Sequence, residues 1–185
     1  MYSLSVPKEN EWLEQNSSEA EIQRLMVTYG NDVLRTSYMF LKDYHKAEDA
    51  YQEVFIKVYK KLDSFKGNST EKTWIIKITI NVCKDILRSS WIRRVLLTDK
   101  VDEGVDNLRV EDKIIKMDED RRLFEGVIAL SQSHKEIVIL FYYQDFNTEE
   151  ISRILNIAEG TVRSRLHRAR EALKNNLEGR VEWNG

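Results

Sequence analysis

The run from Phe146 to Leu177 constrains this chain more tightly than any other stretch. Thr148 to Leu155 has the length and apolar spacing of a short helix, Asn156 and Ile157 read as a tight turn, and an arginine-rich helix follows. In that second helix Val162, Leu166, Ala169 and Leu173 recur at three- and four-residue steps, the spacing of one buried face. Arg163, Ser164, His167, Arg168 and Arg170 fall on the other faces. From Thr161 to Lys174 five cations stand against Glu171 alone, although the whole chain carries a formal charge of −2. A short helix, a turn and a longer basic helix make the helix-turn-helix arrangement that enters the DNA major groove. Arginines that neutralise phosphates release counterions, so binding through this helix is expected to weaken steeply with salt. A solvated basic face on an ordinary amphipathic helix shows the same charge. It does not explain the preceding helix and turn, with their anchors Ile151, Ile154, Leu155 and Ile157.

The rest of the chain has to be helical as well. A single proline, Pro7, seven glycines and 32% charged residues suit an all-α protein, and no strand-helix alternation is present. At 185 residues and 42% hydrophobic, the chain can hold one sizeable core or two small ones. The lone Cys83 excludes an internal disulfide and a cysteine-based zinc site, and fits a reducing compartment. Neither a charged-then-apolar leader nor a long uncharged apolar run is found, so a soluble, cytoplasmic protein without membrane insertion is expected. His45, His134 and His167 lie far apart, and HExxH, phosphate-binding glycine loops and nucleophile elbows are missing. We therefore expect no enzyme: no catalytic residue, no metal site and no cofactor.

Four segments follow from the pattern. Residues 1–17 form an N-terminal extension, 18–95 a first helical block, 96–120 a linker, and 121–185 a second block ending in the helix-turn-helix. In the first block a helix from Ala47 to Leu62 aligns Tyr51, Val54, Phe55, Val58 and Leu62 on one stripe. Gly67-Asn68-Ser69-Thr70 is a loop rich in turn and capping residues, after which Thr73 to Trp91 resumes as a helix. Between Asp99 and Asp120 nine acidic residues face four basic ones with little apolar period, the composition of a solvated linker. The second block opens on a helix bearing Leu123, Val127, Ile128 and Leu130.

Three motifs together go further than the helix-turn-helix alone. They are Ala47-Glu48-Asp49-Ala50-Tyr51-Gln52-Glu53-Val54-Phe55, then Leu62-Asp63-Ser64-Phe65-Lys66-Gly67 followed by Thr73-Trp74, and Gly160-Thr161-Val162-Arg163-Ser164-Arg165-Leu166. In this order and spacing the chain closely resembles the bacterial RNA polymerase sigma factors of the extracytoplasmic-function type (group 4), over nearly its whole length. The resemblance implies a two-domain initiation factor that binds core RNA polymerase, recognises −35 and −10 promoter elements and promotes strand opening.

It also implies site residues. Asp49, Gln52 and Glu53 would dock on the β′ clamp helices of core polymerase, with the β flap as a further contact. Phe65, Trp74, Lys77, Asn81, Lys84 and Arg88 would handle the −10 element, the Phe65–Thr70 loop forming a pocket for a single-strand base. Thr161, Arg163, Ser164, His167 and Arg168 would read the −35 duplex. Arg165 and Arg170 would face phosphates or pair with neighbouring acids. Further implications are an anti-sigma partner and an acidic linker that threads into the polymerase channels.

Some readings stay open on the residues themselves. Glu53 and Lys57 also make an ordinary i,i+4 pair worth about 0.2–0.5 kcal/mol, and Trp74 sits in a phase equally suited to a core residue. The chain departs from the family pattern in having Ser131 after Leu130, where Leu-Pro is common. Ala158 stands where Ser often caps the recognition helix, a loss of about 1 kcal/mol that Glu159 can partly offset through the helix dipole. A stand-alone helix-turn-helix regulator is the alternative, and a protein-binding module whose basic helix meets an acidic partner is a third reading. Neither finds a use for the Asp49/Gln52/Glu53 face together with the Phe65–Arg88 loop and helix.

Overall fold

The computed structural model describes residues 9–97 and 121–178. The acidic stretch from Asp99 to Asp120 and residues 1–8 of the expected N-terminal extension lie outside the described residues, while residues 9–17 of that extension belong to the first helix. Helices are α1 (Glu9–Leu41), α2 (Tyr44–Lys61), α3 (Glu71–Leu97), α4 (Arg121–Ile128), α5 (Gln132–Val138), α6 (Thr148–Leu155) and α7 (Glu159–Glu178). A short 3-10 turn, Leu62–Ser64, follows α2, and a π-helical run, Ile139–Tyr143, extends α5. All the regular elements among the described residues are helical.

Side-chain caps set several boundaries that apolar spacing alone misses. Lys42 adopts φ 57°, closing α1 in the left-handed region. Asp43 then accepts a hydrogen bond from the Lys46 backbone N–H at 3.1 Å. That cap starts α2 at Tyr44, three residues before the Ala47 expected from the apolar stripe. Ala47, Ala50, Val54, Phe55 and Val58 form its buried face, and α2 ends at Lys61, with Leu62 already in the 3-10 turn. After the loop, Thr70 Oγ1 accepts from the Thr73 N–H at 3.1 Å. Helix α3 therefore begins at Glu71 rather than Thr73, and it continues past the expected Trp91 to Leu97.

Helices α1, α2 and α3 pack on one another around Leu25, Val33, Met39, Phe40, Val54, Ile75 and Val82. Arg24 and Tyr29 of α1 both bond the Glu71 carboxylate, at 2.6 and 3.1 Å, and tie α1 to the start of α3. Cys83 is buried here, and burial pushes its thiol up to about 11. The second unit gathers α4 to α7 around Val127, Ile137, Leu140, Ile151, Ile154, Val162, Leu166 and Ala169. Leu130, expected on the opening helix, lies two residues beyond the end of α4 yet is buried. Gly126 lets α4 approach α7 closely: a Cβ there would sit 3.0 Å from a Leu173 methyl.

The two units are packed together, α3 against α6 and α1 against α5, and their buried residues form one continuous cluster. Tyr38 and Phe124 stack across the junction with centroids 5.9 Å apart and rings 7° from parallel. Gln144 donates from Nε2 to Thr36 Oγ1 at 2.9 Å, and Lys135 donates from Nζ to the Phe40 carbonyl at 3.2 Å. Lys135 is only 4% exposed. Burial pulls its ammonium down from 10.5 to about 8, the nearby Lys42 charge adds to this, and Glu136 and Cys83 oppose it.

Below about pH 8 folded and unfolded chains both hold that proton, and the fold carries the cost of a buried charge. Between about 8 and 10.5 the unfolded chain binds more protons, so the Lys135 contribution to stability rises with pH. Replacing Lys135→Met removes this dependence. Urea unfolding of wild type and variant from pH 7.5 to 10 should show the stability difference moving in favour of wild type as pH rises; a pH-independent difference would contradict the buried-lysine assignment.

Candidate nucleic-acid interface

The helix-turn-helix is built by interactions at each of its ends. Asn147 caps α6 reciprocally with Glu150: Asn147 Oδ1 accepts from the Glu150 N–H at 2.9 Å, and Glu150 Oε2 accepts from the Asn147 N–H at 3.0 Å. Asn156, at φ 55° and ψ 51°, closes α6 in the left-handed region. The Ser152 hydroxyl then holds the turn by donating to the Ile157 carbonyl at 2.7 Å. Helix α6 thus runs Thr148–Leu155, as its sequence implies.

The recognition helix α7 starts without a side-chain cap from Ala158. Glu159 takes over a different duty, accepting from Thr148 Oγ1 at 2.6 Å and from Arg163 Nη2 at 2.8 Å. The Thr148 hydroxyl and then Arg163 hold its carboxyl below the usual range. One carboxylate therefore ties the start of α7 to the start of α6.

Val162, Leu166 and Ala169 are buried as their spacing predicts, while Arg163, Ser164, His167 and Arg168 are exposed and Thr161 is half-buried. The Ser164 hydroxyl donates to the Thr161 carbonyl at 3.1 Å, which leaves its oxygen to accept from a ligand. His167 Nδ1 lies 3.5 Å from Glu171. Arg170 is exposed and has aromatic neighbours: its Nε donates to Tyr142 Oη at 2.7 Å and its guanidinium lies over the Phe141 and Tyr142 rings.

A second candidate surface lies at the start of α3. Ser64, Phe65, Lys66, Asn68, Ser69 and Trp74 line a cavity of about 180 Å³. Phe65 and Trp74 stack on each other with centroids 4.8 Å apart and rings 28° from parallel. Trp74 is thus half-buried beneath the loop, with one face already covered by Phe65. Gly67, at φ +70°, makes the loop's sharp bend. Lys77, Asn81, Lys84 and Arg88 continue from Trp74 along one side of α3. Asn81 and Arg88 are exposed, Arg88 lying 3.8 Å from Asp85. Lys77 instead donates to the Arg153 carbonyl at 3.0 Å, and Lys84 meets Glu136 at 3.1 Å.

On α2, Asp49, Gln52 and Glu53 are exposed, and Glu53 pairs with Lys57 at 3.0 Å. Ile56 and Tyr59 lie on the same helix face, 54% and 42% exposed. Sequence reasoning passed over both. Their signal was an apolar residue out of phase with the Val54-Phe55-Val58 stripe.

Comparison with known proteins places the chain in a family. Sigma-70 region 2 matches residues 25–93, and sigma-70 region 4 matches residues 125–173. The chain is 30% identical over 158 residues to the ECF RNA polymerase sigma factor SigW of Bacillus subtilis, covering 80% of this chain and 84% of that protein. The chain belongs to the ECF RNA polymerase sigma factors. It is also 30% identical over 176 residues to the ECF sigma-E factor of Haemophilus influenzae, covering 89% of this chain and 91% of that one. The fold is similar to that of the sigma factor RpoE of Bartonella quintana, solved with the anti-sigma factor NepR, at a TM-score of 0.65 and 24% identity over 84% of this chain and 95% of that one. As a sigma factor the chain is an initiation factor of RNA polymerase and not an enzyme. Membership decides against the stand-alone regulator. In family terms α1–α3 carry region 2 and α4–α7 carry region 4. No helix among the described residues is long and apolar enough to cross a membrane.

The capping box gives a direct stability test. Asn147→Ala removes one cap bond and should lower stability by about 1 kcal/mol in urea unfolding. An unchanged midpoint would show that region 4 does not depend on this cap.

Proposed function

We propose that this chain is a group 4 sigma factor of the cytoplasm that directs core polymerase to promoters through three separate faces. Residues 18–95 act as region 2, 121–185 as region 4, and 96–120 as a linker between them. The observation that carries the reading is the loop cavity beside the Phe65–Trp74 stack, with Trp74 on the same helix as Lys77, Asn81 and Arg88. A duplex-only reader has no use for such a site, whereas strand opening needs one. Extruding a base costs roughly a few kcal/mol, and capture against aromatic and cationic groups recovers it. Phe65 closes the pocket and Trp74 forms its floor. Asn81 offers an amide to a base edge, while Lys77, Lys84 and Arg88 hold the strand's phosphates.

The −35 duplex falls to α7. Arg163 and Arg168 can each make a bidentate pair with guanine, worth about 1–3 kcal/mol of discrimination. Ser164 accepts from a base, His167 reaches a base or phosphate one turn further on, and Thr161 with the helix start receives a phosphate. Asp49, Gln52 and Glu53 meet the β′ clamp helices, with Ile56 supplying the apolar centre of that contact, and region 4 meets the β flap. An anti-sigma factor is the regulatory partner, as in the complex of the similar RpoE. It has available an open apolar groove of about 820 Å³ lined by Leu123, Val127, Tyr142, Leu173 and Leu177, between Arg35 of α1 and Lys174 of α7.

In vitro transcription with bacterial core polymerase on a random promoter library tests this. New starts sharing −35 and −10 elements are expected only when the protein is added. Arg168→Ala should relax one −35 position, a loss of about 1–3 kcal/mol in discrimination. Selection of a palindromic duplex by the protein alone, with no new starts, would overturn the reading. Separately, Ile56→Asp should weaken capture of core polymerase without lowering the unfolding midpoint, because Ile56 is 54% exposed; equal binding by variant and wild type would remove Ile56 from the contact.

A further inference from the structure

The two arginines assigned above to the −35 duplex reach it from different starting points. Arg168 is exposed and bonds no other side chain among the described residues. Arg163 is held: its Nη2 donates to Glu159 Oε1 at 2.8 Å, and the same oxygen accepts from Thr148 Oγ1 at 2.6 Å. An i,i+4 pair on an exposed helix face is weak by itself, because ordering two long side chains offsets most of the attraction. Here the acid is already ordered. Thr148 opens α6, eleven residues back, and its hydroxyl fixes the carboxylate from a neighbouring helix. Thr148 and Glu159 are both half-buried, whereas Arg163 is exposed. The contacts therefore run outward from Thr148 through Glu159 to the guanidinium.

The guanidinium keeps its reading capacity in this arrangement. It carries five N–H donors in a rigid planar fork, and Glu159 takes one hydrogen of Nη2. Whichever Nη2 hydrogen is used, one complete pair of adjacent N–H groups remains for the O6 and N7 of a guanine. The carboxylate stays ionised near neutral pH, since the Thr148 hydroxyl and then Arg163 hold it below the usual range. A long side chain set in one rotamer beforehand gives up less freedom on meeting its base. Against this, a carboxylate in the first turn of a DNA-reading helix repels phosphates, whatever the sequence of the duplex. Glu159 thus acts in opposite directions on affinity and on discrimination.

We infer that Glu159, fixed by Thr148, is a positioning residue for −35 reading: it aims the Arg163 guanidinium and so sharpens the choice of one base pair, while lowering affinity for duplex in general. The inference rests on the −35 role proposed for Arg163. Glu159 itself touches no base. Without its carboxylate, Arg163 sweeps across neighbouring base edges and phosphates, so it still binds DNA but selects less. The base pair read by Arg168 does not depend on this relay and keeps its selectivity.

Full-length variants assembled with core polymerase and run on the random promoter library test this, the templates that initiate giving the base preference at every −35 position. Arg163→Ala marks the position that Arg163 reads, and Arg168→Ala the one that Arg168 reads. Glu159→Ala should lower discrimination at the Arg163 position about fivefold, the equivalent of one net hydrogen bond. Binding of the same polymerase complex to duplexes without the preferred base should rise at low salt. Thr148→Val leaves the charge unchanged and should lower the same discrimination about threefold, whereas Thr148→Ser keeps the hydroxyl and should retain the wild-type preference. The Arg168 position should not move in any of the three. Circular dichroism confirms folding, and either Glu159→Ala or Thr148→Val suffices if the other is unfolded. Wild-type preference at the Arg163 position in either folded variant overturns the relay. Equal relaxation at the Arg163 and Arg168 positions also overturns it, since a general loosening of α7 does the same. Relaxation at a position that Arg163→Ala leaves unchanged assigns Glu159 to a base directly and overturns its positioning role. If Arg168→Ala relaxes a position and Arg163→Ala relaxes none, the −35 role of Arg163 fails, and the positioning role falls with it.

Discussion

Every helix in this protein has to divide one circumference between burial and work. With 3.6 residues per turn, a stripe roughly 100° wide suffices to anchor a helix, and the remaining arc is available to partners. Helix α7 shows the division plainly: Val162, Leu166 and Ala169 are buried, and Arg163, Ser164, His167 and Arg168 face outward. Helix α2 does the same, with Ala50, Val54 and Val58 inward and Asp49, Gln52 and Ile56 outward. Small helical units leave most of their side chains near the surface, so a short chain can carry several recognition faces without additional elements.

Helix α3 carries a heavier load. It contributes Ile75, Ile78 and Val82 to the region 2 core, helps form the loop cavity through Trp74, and packs on α6 of region 4. With three uses, its sides cannot all stay open at once. Lys77 and Lys84 reach across to groups of region 4, Lys84 half-buried and Lys77 exposed like Asn81 and Arg88. The polar character of that junction, built on Lys72, Lys135, Glu136 and Gln144, differs from the aliphatic interior of either region.

Local chemistry explains how far the chain could be read in one dimension. Helix α6 was legible to its ends because Asn147, Glu150 and Asn156 are strong start and stop residues within a few positions of the helix they terminate. The start of α2 was not, because Asp43 precedes the apolar stripe and its capping role depends on the left-handed Lys42 before it. Glu159 lies in the first turn of α7, as the dipole expectation requires, but its hydrogen bond from Thr148, eleven residues away, could not be read from spacing. Ile56 and Tyr59 went unnoticed because exposure cannot be assigned to an apolar residue until the neighbouring helices are in place.

Periodicity and composition determined by themselves that the chain is all-helical, that a basic helix follows a short helix and turn, and which side of that helix is buried. All of these rest on interactions spanning at most a few turns, which sequence spacing reports directly. The use of the long polar side chains was decided only by tertiary structure. Arg170 turns to Tyr142 across 28 residues, Lys77 to the Arg153 carbonyl across 76, and Lys135 to the Phe40 carbonyl across 95. A lysine or arginine can reach any acceptor within its length, and which acceptor lies there depends on how the two regions pack.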